Sequence, residues 1–170
     1  DKLGHIAGNH HQIITSLEGE LGEGRSIFVS ISPEWDSSRA PKGHRAVTIT
    51  THTNVRQWWE LYQRDKTAYG ALKNQYEKRI LAYIDEKLPN FSKAAVLILG
   101  GTPITYQHYT LRPNGEVGGL PQTSLFKSRS PKTSSPNIWV VGDTIFPGQS
   151  TAAVTLGALR VVKNVERVLS

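Results

Sequence analysis

Cysteine and methionine are both absent from these 170 residues. Without cysteine there is no disulfide, no thiolate nucleophile and no thiolate metal ligand. No run of about 18 apolar residues occurs, so no segment is suited to span a bilayer as a helix. No basic, apolar and small-residue leader opens the chain, which favours a cytoplasmic or peripheral-membrane protein over a secreted one. The missing initiator Met points to a fragment or a processed chain. A Gly-x-Gly-x-x-Gly phosphate turn is missing too, since Gly19, Gly22 and Gly24 have the wrong spacing and no strand directly before them. His-x-x-x-His pairs, His-Glu-x-x-His and Gly-x-Ser-x-Gly strings are also lacking, which argues against a metal site and an elbow-type serine hydrolase.

What is there fits a globular chain: 38% hydrophobic residues, 15 Gly, 9 Pro and a formal charge of +6. A basic balance suggests nucleic acid or an anionic membrane as partner. Between Arg56 and Lys93, however, acids and bases interleave as on a solvated helix face. The one purely basic stretch, Lys127-Ser-Arg-Ser-Pro-Lys132, has no aromatic between its charges to stack a base, so no nucleic-acid partner is expected.

Three segments near the start read as strands. His10 to Thr15 is short and apolar-ended, Arg25 to Ser32 is rich in β-branched and aromatic residues, and His44 to Thr53 alternates Val47, Ile49 and Thr51 with Ala46, Thr48 and Thr50. From Asn54 the period changes. Val55, Trp58, Tyr62, Tyr69, Leu72, Tyr76, Ile80 and Tyr83 make one helical stripe, opened by Asn54, closed by Pro89 and breakable near Gly70. That stripe serves either as packing against the sheet or as one wall of an apolar ligand cavity. Ala94 to Thr110 holds two β-rich runs broken at Gly100-Gly101, and Leu111 to Pro136 is mostly loop. The fold class expected is therefore α+β. A mostly antiparallel sheet, from strands near 10, 26, 44, 94 and 104, is backed by the long helix.

The chemistry concentrates after Asn137. Asn137 to Asp143 reads as a buried strand, Thr144 to Gly148 as a turn, and Gln149 to Leu169 as an apolar-striped helix with a polar first turn. The start of that helix presents unpaired N–H groups and the positive end of its dipole, which favour an anion or an electron-rich carbonyl. Gly148 removes a Cβ from the approach. The Asp143 carboxylate can accept two hydroxyl hydrogen bonds, as a sugar or ribityl chain offers. On residue types alone, Asp143 could equally do no more than cap its own turn, and Ala152, Ala153, Gly157 and Ala158 could serve helix packing.

The string Val140-Val-Gly-Asp-Thr-Ile-Phe-Pro-Gly-Gln-Ser-Thr-Ala-Ala-Val154 resembles the carboxyl-terminal flavin-binding segment of phytoene desaturase and carotenoid isomerase type proteins, closest to the cyanobacterial carotenoid desaturase branch. Upstream, Gly119-Leu-Pro-Gln-Thr123, Thr102-Pro-Ile-Thr105, Trp58-Trp59 and Arg39-Ala-Pro-Lys-Gly-His-Arg-Ala46 follow in the expected order. The resemblance implies an FAD-dependent oxidoreductase acting on the polyene chain of a carotenoid. It places Gly142 and Asp143 at the ribityl chain. The backbone of Gly148, Gln149, Ser150 and Thr151 would lie against the flavin ring, with Phe146 and Pro147 over it. No catalytic residue and no metal follow from it. It also implies a partial substrate-binding domain over 1–136 and the last strand–turn–helix of an FAD-binding domain over 137–170, the dinucleotide-binding part being absent from this chain. The isolated chain is then expected to hold FAD weakly or not at all. Peripheral membrane contact and a homo-oligomer fit the same picture. The alternative is a related, non-catalytic domain binding an apolar ligand or a partner.

Overall fold

The computed structural model describes residues 6, 8–19, 22–120, 124, 126 and 128–169. His5, Lys127 and the Pro121-Gln-Thr123 part of one family-like string lie outside the described residues. By compactness the chain divides into Asp1–Gly115 and Glu116–Ser170. The loop from 116 to 136 thus groups with the carboxyl-terminal segment, where the sequence suggested a boundary at 136.

The first unit is built on an antiparallel sheet of three strands in the order β1 (His10–Ile14), β2 (Ser26–Ile31), β3 (Val47–Thr51). Register pairs Ile13 with Ile27 across the first ladder, and Val29 with Ile49 across the second. Alternation along β2 sends Ile27, Val29 and Ile31 to one face, where they are buried. Phe28 points the other way and stacks on His10, with centroids 5.9 Å apart.

Two helices follow where one long helix is expected: α1 (Val55–Arg64) and α2 (Lys66–Lys87). The break falls at Asp65 and not at Gly70. Asp65 is extended (φ −151°, ψ 101°), its N–H closes α1 onto the Leu61 carbonyl, and its carboxylate accepts from the Ala68 N–H at 2.9 Å. One Asp therefore ends one helix and starts the next. Gly70 stays inside α2, where nothing requires a bend. Asn54 caps α1 by accepting from the Arg56 N–H at 3.0 Å.

The aromatic stripe splits in its use. The distal half of α2 covers the sheet, with Ile84 fully buried among Ile13, Ile27, Val29, Ile31 and Phe91. The proximal half turns to α1, where buried Trp58 meets the edges of Tyr69 and Tyr76. Trp58 Nε1 donates to Thr53 Oγ1 at 2.8 Å.

Two expected strands do not form. The residues near 94 end the short α3 (Phe91–Ala94), and those near 104 lie in α4 (Pro103–Thr110). Val96, Leu97 and Leu99 are at least 75% exposed. They have strand-like composition, but among the described residues no strand lies beside them to bond, and β-propensity is largely a packing preference that a partner must realise. Downstream, Pro103 occupies the first turn of α4, and Thr105 Oγ1 accepts from the N–H of its cap Thr102 at 3.2 Å. That helix-start chemistry outweighs the β-branched residues.

The second unit contains α5 (Thr151–Leu169). The strand expected over 137–143 is replaced by a single bridge between Lys132 and Trp139, extended by Val140 N–H to the Pro131 carbonyl at 2.9 Å. Ile138, Val140 and Val141 are exposed. A fully apolar run reads as a strand buried on both faces, and among the described residues of this unit no strand pairs along it.

Candidate functional site

The turn from Gly142 to Ser150 and the first residue of α5, Thr151, carry every residue expected to meet a cofactor. Gly142 (φ 137°) and Gly148 (φ 103°) occupy backbone conformations that residues with a Cβ rarely adopt, and between them lies the cis Phe146–Pro147 peptide. Ile145 is buried and anchors the turn, with its N–H donating to the Gly142 carbonyl at 3.2 Å. Asp143 is half-buried beside it.

Against this turn lies a segment more than twenty residues earlier. Gly119 comes so close to the Asp143–Thr144 peptide that an added Cβ would stand 2.6 Å from Thr144 Cα. The Leu120 N–H donates to Thr144 Oγ1 and Gln149 Nε2 donates to the Gly119 carbonyl, both at 3.4 Å. A Cβ on Gly118 would meet the Gln149 amide at 2.8 Å. Two strings that the sequence shows apart, Gly118-Gly119-Leu120 and Gly142 to Gln149, therefore form one loop pair.

The helix tip is arranged by Ser150. Its Oγ accepts from the Ala153 N–H at 3.1 Å and its carbonyl from the Val154 N–H at 2.8 Å, which makes it the N-cap of α5. Thr151 and Ala152 are exposed, and their N–H groups fall in the first turn, which has no intrahelical acceptor. Gly148 is buried, Pro147 half-buried and Gln149 exposed. The side chains of Gln149 and Ser150 are engaged within the protein, which leaves the backbone of this stretch as its ligand-directed part.

A cavity of about 170 Å³ lies in the same unit, lined by Arg129, Ser130, Ile145, Phe146, Gly157 and Arg160 among others. Phe146 is the one expected pocket residue on its wall; Asp143 and the α5 tip do not line it. Among the described residues no three His, Asp or Glu side chains converge as metal ligands, and no helix is long and apolar enough to cross a membrane.

In the first unit, α1 and α4 flank an open groove of about 400 Å³, with Trp59 and Tyr62 on one side and Ile104 and Leu111 on the other. For the stripe carrying Tyr62, a cavity wall is one of the two readings, beside packing against the sheet. The contribution of α4 was hidden, because its residues have strand composition; the Thr102-Pro103-x-Thr105 start was the signal that reveals it.

No family model matches the chain, and no solved structure matches it. Curated proteins do. The prolycopene isomerase of Daucus carota chloroplasts is 32% identical over 158 residues, 88% of this chain and 25% of the relative. That of Arabidopsis thaliana is 31% identical over 158 residues, 88% and 26% of the two chains. The all-trans-retinol 13,14-reductase of Danio rerio is 30% identical over 156 residues, 81% and 25%. The chain spans about a quarter of the length of these relatives. Across 88% of its length it is homologous to carotenoid isomerases, and across 81% to a retinol reductase, the membership of a carotenoid desaturase and isomerase type family.

Proposed function

We propose that this chain forms the flavin-facing turn, and part of the substrate-binding half, of an FAD-dependent oxidoreductase or isomerase acting on a polyene such as a carotenoid. The observation that carries the reading is the convergence of Gly118–Leu120 with Asp143, Thr144 and Gln149 directly ahead of α5. Names of the matched relatives, prolycopene isomerase and retinol reductase, support the polyene class.

The residues present fit FAD on chemical grounds. Nothing lies within 4 Å of a Cβ built on Gly142, so the backbone beside Asp143 opens onto free space. Asp143, the one acid between Gly142 and Ala152, has two acceptor oxygens for ribityl hydroxyls. The N–H groups opening α5 supply partial positive charge for the electron-rich edge of the ring. Bound there, the flavin supplies the electron sink that hydride removal from a hydrocarbon requires. The protein's part is to hold and orient: Ser150 fixes the helix tip, Gly119 lets the loop pair close, and Phe146 and Pro147 shape the turn. No proton donor or acceptor is assigned. Contact with a lipid surface belongs to the same reading, supported by the charge of +6 and the many exposed apolar side chains.

The test uses the full-length parent expressed with FAD, with carotenoid products resolved by chromatography. Asp143→Ala is expected to lose most of its flavin and its product. Unchanged flavin content in that variant refutes the assignment.

A further inference from the structure

We infer that the groove between α1 and α4 receives one end of the polyene, with Trp59, Tyr62, Ile104 and Leu111 as the contact surface. The inference rests on the polyene reading above and gives it a location in the first unit. At about 400 Å³ the groove lies within the ~300–1,000 Å³ span of small-molecule sites. It is open to solvent, so a chain longer than the groove can continue outward.

The aromatic wall is held in place by the protein itself. Trp59 Nε1 donates to the Asn114 carbonyl at 2.8 Å. Tyr62 meets Trp59 and Tyr69 edge-on, with centroids 5.9 and 5.1 Å away, and Lys66 Nζ lies 2.8 Å from the centre of its ring. A wall ordered beforehand surrenders little side-chain freedom when a ligand binds. Facing it, Ile104 projects from α4, and Leu111 sits at the α4 C-cap, 86% exposed. An apolar side chain presented at the mouth of an aromatic groove gains by covering itself with hydrocarbon.

The lining also selects the ligand class. The lining residues themselves carry no carboxylate, ammonium or guanidinium group, and the neighbouring Lys66 ammonium is engaged on the Tyr62 ring. A peptide would leave backbone polar groups against Ile104 and Leu111 without partners. A flat conjugated chain carries no such penalty and stacks on aromatic faces. Gln107 and His108, the polar lining residues, suit a terminal hydroxyl.

The 170-residue chain is titrated with all-trans-retinol, followed by quenching of tryptophan emission, alongside Leu111→Arg and Leu17→Arg. Leu17 is 92% exposed and away from the groove, so it controls for adding an arginine. Expected are saturable binding by the parent chain and Leu17→Arg, and roughly tenfold weaker binding by Leu111→Arg, about 1.4 kcal/mol. Equal affinity in the two variants, or no saturable binding by the parent chain, overturns the proposal. A dimer on gel filtration that Leu111→Arg alone dissociates overturns it as well, by giving the groove to a second copy. Should circular dichroism show Leu111→Arg unfolded, Gln107→Trp, which fills the groove, replaces it with the same expectation. Flavin content in the full-length Asp143→Ala variant is read separately, so failure of the groove and failure of the flavin reading are distinguishable.

Discussion

Gly119 lies against the peptide joining Asp143 to Thr144, close enough that a methyl group would stand 2.6 Å from Thr144 Cα. The neighbour is backbone, which cannot rotate aside as a side chain does. Gly119→Ala must therefore push the two loops apart, at a cost of about 1–3 kcal/mol. Thermal unfolding of the chain should fall accordingly. In the full-length parent the same change should lower bound flavin without touching any polar group. Normal melting and normal flavin content together would show that the loop pair is not closed in solution.

Asp85 and Ser92 give a pH-dependent link between α2 and α3. The Ser92 hydroxyl donates to Asp85 Oδ2, and its N–H donates to Oδ1 at 2.9 Å. These two bonds, with smaller help from the Phe91 N–H and the Lys93 charge, hold the carboxyl below its ordinary 3.8. A lowered folded pKa means that the stabilisation is complete above the unfolded value and is lost as pH falls through the folded one. Acid titration of stability should therefore show a component below about pH 4 that Asp85→Asn removes. An unaltered acid profile in that variant would count against the link.

Asp65 can be tested as a joint. Asp65→Ala deletes the cap of α2 and should cost about 1 kcal/mol in denaturant unfolding. Asp65→Asn, which keeps a capping oxygen, should recover most of it. If alanine and asparagine behave alike, the carboxylate does not cap α2.

The chain alone should purify colourless from cells making FAD. It contains the carboxylate proposed to meet the ribityl chain but no Gly-x-Gly-x-x-Gly string, and pyrophosphate contacts supply much of a dinucleotide's affinity. A tight yellow complex, measured by absorbance after gel filtration, would contradict this.

Much of the first unit was readable from residue order. The β-branched run at Ser26–Ile31 and the alternation at Val47–Thr51 became strands, and the stripe from Val55 to Tyr83 became helix. The misreadings share one physical cause. Ala94–Leu99 and Asn137–Val141 have the composition of buried strands, but composition states only what a segment can do when paired. Among the described residues no full strand pairs with them, and Val96–Leu99, Ile138, Val140 and Val141 stay exposed. At Pro103 the reverse happened: a local helix start overrode β-branched side chains. The position of the break at Asp65 was legible only in hindsight, because an Asp between two helical stretches caps as readily as it sits on a helix surface. For the second unit, the Val140–Val154 string was apparent, whereas its pairing with Gly118–Leu120 required the fold.

The bare run from Val96 to Leu99 has a practical side. Four consecutive β-formers with free backbone edges are the composition that seeds intermolecular sheet growth, with Lys93 the nearest charge on one flank and none before Arg112 on the other. Concentrated stocks of the chain should cloud with time. A lysine at Leu97 or Leu99 is the gatekeeper that should keep them clear.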